Sequence, residues 1–189
     1  MSVDMYLEFD QKSKIEGEAI DTQYGKTTGA KAIQIDSFDF GGELPVSAEQ
    51  GTGLGAGKVK YNEFNFKMKS SQASTAIFKN MYKGTHIQGA ILHLRKSGGV
   101  EGSTESTGQV EYMAFKFKEL MISKYSIDGG AEDPVESISF AYTAMFIGYK
   151  RQNEKGELQD VQKAGWDVKQ TTEWLGDGVS SNAGGDVIK

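Results

Sequence analysis

The segment Gly51-Thr-Gly-Leu-Gly-Ala-Gly-Lys58 combines closely spaced glycines with a lysine, the residue types of a phosphate-binding loop. In such a loop the backbone N–H groups surround the phosphates and the lysine side chain reaches them. The spacing does not fit, because a Walker loop needs glycine at Thr52 and serine or threonine at Val59, and a dinucleotide loop needs glycine at Ala56. We therefore predict a mobile glycine-rich arm that leads into a strand, and no nucleotide site.

The two histidines, His86 and His93, are too few to form a zinc site, and the chain contains no cysteine that could complete one. His93 stands between Leu92 and Leu94, so its side chain is predicted to project from a strand on the face opposite to theirs. We interpret it as a surface or cross-strand histidine rather than as a ligand or a catalytic base. The sequence therefore predicts no metal and no cofactor.

Carboxylates are abundant but lie beside turns and bends, as at Asp36, Asp39, Glu132 and Asp133. Acids at such positions commonly accept hydrogen bonds from nearby backbone N–H groups. A pair placed for glycoside hydrolysis stays open, because the partner of any carboxylate could come from a distant part of the chain. The sequence singles out no catalytic residue, and an uncharted hydrolase is the least favoured class of function.

The charge and composition of the chain argue against several partners. The formal net charge is −5 and the pI about 5.2, so no basic surface is expected to attract nucleic acid or an anionic membrane. The first ten residues have neither the basic nor the apolar region of a cleavable secretory signal. No apolar run approaches ~18 residues, the length of a membrane span. If the protein leaves the cell, we expect specialised machinery to export it.

Alternating apolar residues predict that the chain is mostly β-strand. Val3, Met5, Leu7 and Phe9 form an apolar face at every second residue, which indicates a half-buried strand. The 24 glycines cluster between apolar runs and indicate many turns. Residues 109–127 contain neither glycine nor proline and would extend ~60 Å at about 3.3 Å per residue. This stretch must therefore bend or contain two strands.

The apolar alternation changes parity at several places within the predicted strands. It slips between Ile35 and Phe38, between Tyr61 and Phe64, and between Phe117 and Leu120. Each slip is the pattern expected of a bulge or a bend. Repeated bends favour a small, closed antiparallel β-barrel over a flat sheet.

One amphipathic helix is predicted between residues 70 and 84. Ser70 and Ser71 are suitable N-cap residues, and Gly84 stands where a left-handed residue commonly ends a helix. The apolar positions that would pack on the β-structure are Ala73, Ile77, Phe78, Met81 and Tyr82. The sequence thus predicts a single β-barrel domain over residues 1–175 with one flanking α-helix, and a disordered tail over residues 176–189.

The segment 140–147 is apolar on both faces if it is a strand. Phe140, Tyr142 and Phe146 share one face, and Met145 and Ile147 share the other. One face can fill the core, so the second must be covered by another element. The sequence leaves two covers open, the predicted helix or a neighbouring subunit.

Four short stretches occur in the order Gly55-Ala-Gly-Lys-Val59, Leu92-His-Leu-Arg-Lys-Ser-Gly-Gly99, Gln109-Val-Glu-Tyr112 and Gly165-Trp-Asp-Val-Lys-Gln170. Together they resemble the haemolysin-coregulated protein (Hcp) family of type VI secretion. Val3-Asp-Met-Tyr-Leu resembles the first strand of that family and Gly17-Glu-Ala its early turn. The resemblance extends over about residues 3–170, and several motifs in one order are more specific than any single motif. Residues 25–31 look inserted relative to the family.

The resemblance implies a β-barrel of two sheets with one flanking helix and a structural rather than enzymatic function. Family members form hexameric rings that stack into a tube, similar to a phage tail tube, inside a contractile sheath. Effector proteins travel in the lumen, and contraction expels the tube with its spike protein. The implied partners are thus further copies of the chain, the sheath, the spike and effectors. The implied locations are the bacterial cytoplasm during assembly and the outside of the cell after secretion.

By position, residues 40–58 match the protruding loop through which the family's rings contact one another. The candidate inter-ring residues are Gly42, Glu43, Pro45, Gly51, Gly53, Gly55, Gly57 and Lys58. The candidate residues of the contact between subunits within a ring are Phe140, Tyr142, Met145 and Ile147. Strand parity does not say which face points inward, so the residues that line the lumen stay unknown. The alternative function is a monomeric β-barrel that binds a small ligand.

Overall fold

The computed structural model describes residues 3–21, 23–25, 31–49, 53–97, 109–153 and 158–182. Within these ranges the chain forms short and long strands, a 3-10 turn at Gln11–Ser13 and one α-helix, α1 (Gln72–Tyr82). The strands are β1 (Val3–Phe9), β2 (Ile33–Gln34), β3 (Ser37–Asp39), β4 (Gly42–Glu43), β5 (Val46–Glu49), β6 (Gly53–Ala56), β7 (Lys60–Tyr61), β8 (Phe64–Lys69), β9 (Ile87–Ser97), β10 (Gln109–Asp128), β11 (Val135–Gln152), β12 (Leu158–Asp167) and β13 (Thr172–Glu173).

Nine of these strands form one antiparallel sheet that bends around the core. Its main order is β13-β12-β11-β10-β9-β1-β2, and β8 pairs with the first part of β11 and with β3. Two further sheets of two strands each are formed by β4 with β7 and by β5 with β6. The prediction of a mostly β, antiparallel fold with one α-helix is confirmed.

The strand ladder does not close into a complete barrel. Between β2 and β3 the chain crosses from one edge of the sheet to the other, and the Ile35 N–H donates to the Met5 carbonyl (3.1 Å) while the Asp36 N–H donates to the Lys67 carbonyl (2.8 Å). Single hydrogen bonds to each edge replace a paired strand there. The prediction that the barrel closes is therefore wrong. A single bent sheet takes the place of the two expected sheets.

The parity slip predicted between Phe117 and Leu120 corresponds to a real bend. Strand β10 is continuous, but Glu119 has a φ of 46°, which is unusual for a residue other than glycine. Phe117 before this residue and Leu120 after it are both buried in the same core, although their positions differ in parity. A further register shift follows between Ile122 and Lys124. The long stretch without glycine or proline is thus one strand that bends around the core.

The helix begins as predicted but buries a narrower face. Ser71 caps it by accepting a hydrogen bond from the Ala73 N–H, and Gly84 follows it with a φ of 60°. Ala73 and Ile77 are fully buried. The prediction that Phe78 and Tyr82 widen the buried stripe is wrong, because their side chains are 50% and 81% exposed.

The buried apolar face of the helix is narrower than predicted because an asparagine takes part in the packing. Asn80 is buried and donates from Nδ2 to the carbonyls of Ser13 (3.0 Å) and Ala76 (2.8 Å). The bond to Ser13 joins the helix to the turn after β1. A polar residue therefore occupies a position that apolar periodicity alone does not identify.

Candidate functional site

The predicted arm is a β-hairpin built from two short ladders. Strands β5 and β6 pair from Val46 opposite Ala56 to Glu49 opposite Gly53, and the Gly57 N–H donates to the Pro45 carbonyl at 2.8 Å. Strands β4 and β7 continue the hairpin toward the sheet. The structure therefore brings together the candidate inter-ring residues Gly42, Glu43, Pro45, Gly53, Gly55, Gly57 and Lys58, and Gly51 lies outside the described residues.

The arm combines an exposed apolar surface with an anchored base. Leu44 and Val46 are 49% and 57% exposed. At the base, the ring of Tyr61 lies 5.3 Å from the ring of Tyr142, and the Tyr61 hydroxyl donates to the Trp166 carbonyl at 3.2 Å. The arm is thus attached to β11 and β12 by one tyrosine.

The candidate interface residues on β11 do not share one environment. Phe140 is fully buried in the main core, with its ring centroid 4.9 Å from that of Phe64. It cannot contact another subunit without unfolding, so we remove it from the candidate interface. Tyr142, Met145 and Ile147 are half-buried and pack against the edge of the same core. Only these three keep part of their surface available.

The second apolar face of β11 is covered by the chain's own C-terminal segment, residues 174–182. Ala144 and Phe146 on β11 and Ile91 on β9 form a separate apolar cluster with Trp174 and Val179. The cover is therefore neither the helix nor a subunit, the two possibilities that the sequence left open. Phe146 also lies on the face opposite to the predicted one, because the strand bends between Tyr142 and Met145.

Part of the predicted disordered tail belongs to this cover. Val179 is buried, and the Asn182 Nδ2 donates to the Phe9 carbonyl at 3.2 Å. Residues 176–182 thus pack on the outer face of the sheet and do not form a free tail. The apolar pattern of a barrel predicts only the core-facing side of the sheet, so it does not reveal these contacts. Residues 183–189 lie outside the described residues.

Close approach of the C-terminal segment requires glycine at Gly165. A Cβ atom there would lie 2.1 Å from the Trp174 carbonyl oxygen and 2.8 Å from that of Met145. Asp167, two residues later, closes the turn that leads into β13 by accepting from the Gln170 N–H at 2.9 Å. The stretch Gly165-Trp-Asp-Val-Lys-Gln170 therefore has a structural task, which is to seat the segment that follows it.

The charge of Asp167 stabilises this turn. Burial acts to raise the pKa of Asp167, but the Gln170 N–H and the Lys118 ammonium, 3.2 Å from Oδ2, outweigh it and hold the pKa below its ordinary value of 3.8. Because the folded pKa is lowered, this stabilisation is present above pH 3.8 and is lost as the pH falls through the folded pKa.

We expect Asp167→Asn to lower the free energy of unfolding by about 1 kcal/mol at pH 7, because the amide keeps an acceptor but loses the charge. The difference from the unchanged protein should shrink as the pH falls through the lowered pKa. Urea unfolding at pH 7 and at several acidic pH values measures it. The control is Glu132→Gln in an exposed turn, and a difference that stays constant with pH would contradict the role of the charge.

The early loop covers the other half of the outer face of the sheet, the face on which the C-terminal segment packs. The structure describes this loop at residues 14–21, 23–25 and 31–32. Tyr24 is fully buried and stacks on Tyr6 with 5.3 Å between ring centroids. Asp21 pairs with Arg95, with 2.8 Å between Oδ2 and Nη1. The loop and the C-terminal segment therefore cover one sheet from two sides.

A buried polar seam, formed by Glu8, His93 and Glu111, lies where the two covers meet. His93 is fully buried, with Nδ1 3.1 Å from Glu111 Oε2 and Nε2 3.6 Å from Glu8 Oε1. Burial raises the pKa of Glu8 against the opposing effects of His93 and Asn182. His93 is thus cross-strand as predicted, but the alternative of a surface position is wrong.

The two carboxylates of the seam, Glu8 and Glu111, are not predicted by the sequence pattern. Glu8 lies on the face of β1 opposite to Val3, Met5, Leu7 and Phe9, which alternation alone presents as the polar face, and no residue near Glu111 in the sequence marks it as buried. The available signal was the position of His93 and Arg95 on the face opposite to Leu92 and Leu94, since two polar side chains inside an apolar strand need partners when a cover is present. Nothing in the local sequence predicted that cover.

The arrangement does not resemble a reaction centre. In the described part of the chain, no group of three or more histidines and carboxylates is placed to hold a metal ion. The fully buried His93 imidazole is closed off by the loop and the C-terminal segment, so a substrate could not reach it. Among the described residues, no helix has the length and apolar character needed to cross a membrane.

Comparison with known protein families gives one match that extends over most of the chain. The family model described as "Type VI secretion system effector, Hcp" matches residues 6–149. This range contains the arm, the helix, the polar seam and most of β11. No curated protein matches the chain in the corresponding sequence comparison.

Solved structures have the same fold at low sequence identity. A type six secretion system protein has a TM-score of 0.76 at 22% identity, with 92% of this chain and 100% of that chain covered. Hcp1 from Salmonella typhimurium has a TM-score of 0.69 at 24% identity, with the same coverage. A type VI secretion system effector from Yersinia pestis has a TM-score of 0.62 at 23% identity, covering 87% of this chain and 100% of that one.

Proposed function

Because the chain belongs to the Hcp family of type VI secretion proteins, we propose that it is a structural subunit of the secretion tube and catalyses no reaction. Copies close into hexameric rings, and the rings stack into the inner tube. The tube carries effectors in its lumen, contacts the contractile sheath and the spike, and leaves the cell when the sheath contracts. The observation that carries this proposal is the family match over residues 6–149.

The contact within a ring uses a strand edge together with the exposed parts of β11. Strand β13 pairs only with Trp166 and Asp167, so the outer edge of β12 before Trp166 has no strand partner among the described residues. Tyr142, Met145 and Ile147 offer partly exposed apolar surface. A head-to-tail contact that joins an edge to a different surface closes into a ring when the rotation fits.

The contact between rings uses the arm. Its hairpin has its own ladder, so it keeps its shape while Leu44 and Val46 remain exposed. Exposed apolar side chains on a projecting element are typical of a surface that a partner covers. The arm contacts the adjacent ring and buries these side chains there.

The mass of the purified protein in solution tests the ring. Light scattering coupled to size exclusion is expected to give the mass of six chains, about six times the 20.6 kDa of one chain. The mass of one chain would contradict the proposal and favour the monomeric ligand-binding module. The described interior does not support that alternative, since aromatic and aliphatic side chains of the main core fill it.

A substitution on the arm separates stacking from ring formation. Gly55→Val adds a branched side chain to a surface that meets the next ring, and we expect it to raise the concentration needed for tube formation about tenfold. The mass of the isolated ring should not change. Electron microscopy counts tubes and light scattering measures rings.

The matched control for the arm is Gly130→Val, since a Cβ at Gly130 would have no heavy atom within 4 Å. This variant should form both rings and tubes. Loss of the ring in Gly55→Val would show that the arm belongs to the contact within a ring, which contradicts its proposed role.

A further inference from the structure

A continuous row of polar contacts crosses the outer face of the sheet and links two distant parts of the chain. The Tyr24 hydroxyl donates to Glu111 Oε2 at 2.6 Å, and the same oxygen lies 3.1 Å from His93 Nδ1. The other ring nitrogen of His93, Nε2, lies 3.6 Å from Glu8 Oε1, within electrostatic range but beyond hydrogen-bond distance, and Glu8 Oε2 accepts from the Asn182 N–H at 2.8 Å. The row therefore begins in the early loop and ends in the C-terminal segment.

Apolar packing does not join the two covers. Tyr6, Ala19, Tyr24 and Ala32 form the cluster under the early loop. Trp174 and Val179 belong to a different cluster with residues of β9 and β11. In the described part of the chain, these clusters share no member, and the seam lies between them. Its polar contacts are thus the physical connection between the covers.

The chemistry of the seam makes its contacts depend on one another. Glu111 Oε2 is shared by the Tyr24 hydroxyl and His93, and the Glu8 carboxylate accepts from Ser181 and Asn182 and faces His93 Nε2 at 3.6 Å. Polar contacts in a buried row polarise and strengthen one another, so the loss of one contact weakens those that remain. A change at one end therefore alters the position of His93 and the contacts at the other end.

We propose that the polar seam is a two-sided clamp through which the early loop and the C-terminal segment hold each other on the sheet. Releasing either cover weakens the other, although their described residues share no apolar cluster. The clamp is a property of the single chain and is independent of ring formation. Its failure and the failure of the proposed function are thus separate outcomes.

Amide hydrogen exchange on the whole protein tests the clamp. Tyr24→Phe removes only the hydroxyl at the loop end, and we expect exchange of the Trp174 amide, bonded to the Gly165 carbonyl, to accelerate about three- to tenfold. Conversely, Ser181→Ala should accelerate exchange of the Ala32 amide, which donates to the Tyr24 carbonyl, by a similar factor. The amides of residues 117–122 on β10, which lie away from Glu111, should be unaffected in both variants.

Two further variants make the test specific. Tyr82→Phe removes the same hydroxyl from an exposed helix position and should change neither reporter amide. In a Glu8→Gln background the effect of Tyr24→Phe on the Trp174 amide should disappear, because the middle of the row is already altered. The clamp is wrong if Tyr24→Phe and Ser181→Ala each affect only their own cover. It is equally wrong if the amides of residues 117–122 on β10 accelerate in parallel, since that result reports only a global loss of stability.

Discussion

Phe140→Ala is expected to lower the free energy of unfolding by about 3–5 kcal/mol. The side chain is fully buried and contacts the rings of Phe64 and Phe117, at 4.9 Å and 5.2 Å between centroids. Its removal leaves a cavity that these rigid neighbours fill only partly. Urea unfolding at one fixed protein concentration measures the change, because self-association would otherwise contribute to it.

The control for Phe140 is Phe78→Ala on the exposed face of the helix. Phe78 is half-exposed, so its removal should change the free energy of unfolding by less than about 1 kcal/mol. A Phe140→Ala protein that unfolds like the unchanged protein but no longer forms rings would contradict the core assignment. In that case the sequence-based placement of Phe140 at an interface would be correct.

Gly165→Val is expected to displace the C-terminal segment from the sheet and to lower the free energy of unfolding by about 3 kcal/mol or more. The new Cβ would overlap the Trp174 and Met145 carbonyl oxygens, which belong to backbone and cannot rotate away. The variant loses the pairing of β12 with β13 together with the buried position of the Trp174 indole. Trp174, buried in the folded protein, then contacts water.

Intrinsic fluorescence measures this displacement well because the chain has only two tryptophans. Trp166 is already 37% exposed, so a red shift of the emission reports Trp174. Gly129→Val is the matched control, since a Cβ at Gly129 has no heavy atom within 4 Å. Emission that stays unchanged in Gly165→Val would show that the close approach at this glycine does not seat the segment.

The features that the sequence predicted correctly are those that depend on near neighbours in the chain. The alternation of Val3, Met5, Leu7 and Phe9 indicates a strand, and β1 covers the same residues. Ser71 caps the helix, and the slip at Phe117 and Leu120 marks a bend, because capping and pleat parity are both local properties. Such patterns need no knowledge of what packs on them.

The errors share a different cause, which is packing from distant parts of the chain. Phe146 lies on the unexpected face of β11 because the strand bends, and the alternation of apolar residues does not reveal this bend. The burial of His93 follows from two covers that the pattern of a barrel does not include. Neither could be predicted from local sequence, because the covers come from residues near opposite ends of the chain.

The stretches that resemble the Hcp family also contain residues of the polar seam and residues that hold the C-terminal segment on the sheet. His93 and Glu111 belong to the polar seam, and Gly165 and Asp167 seat the C-terminal segment. The arm shares only the short stretch at residues 55–59 with them. The resemblance therefore indicates the folded unit more directly than the surfaces proposed for association.

The hydrogen bond from the Asn182 N–H to Glu8 joins residues 174 positions apart. A ribosome must consequently expose residue 182 before the first strand acquires this partner. Until then Ile91 and Phe146 lack their cover, and a nascent chain exposes them to other nascent chains. The fold is thus completed late in synthesis, and a chain that stops before residue 178 should produce aggregates during expression.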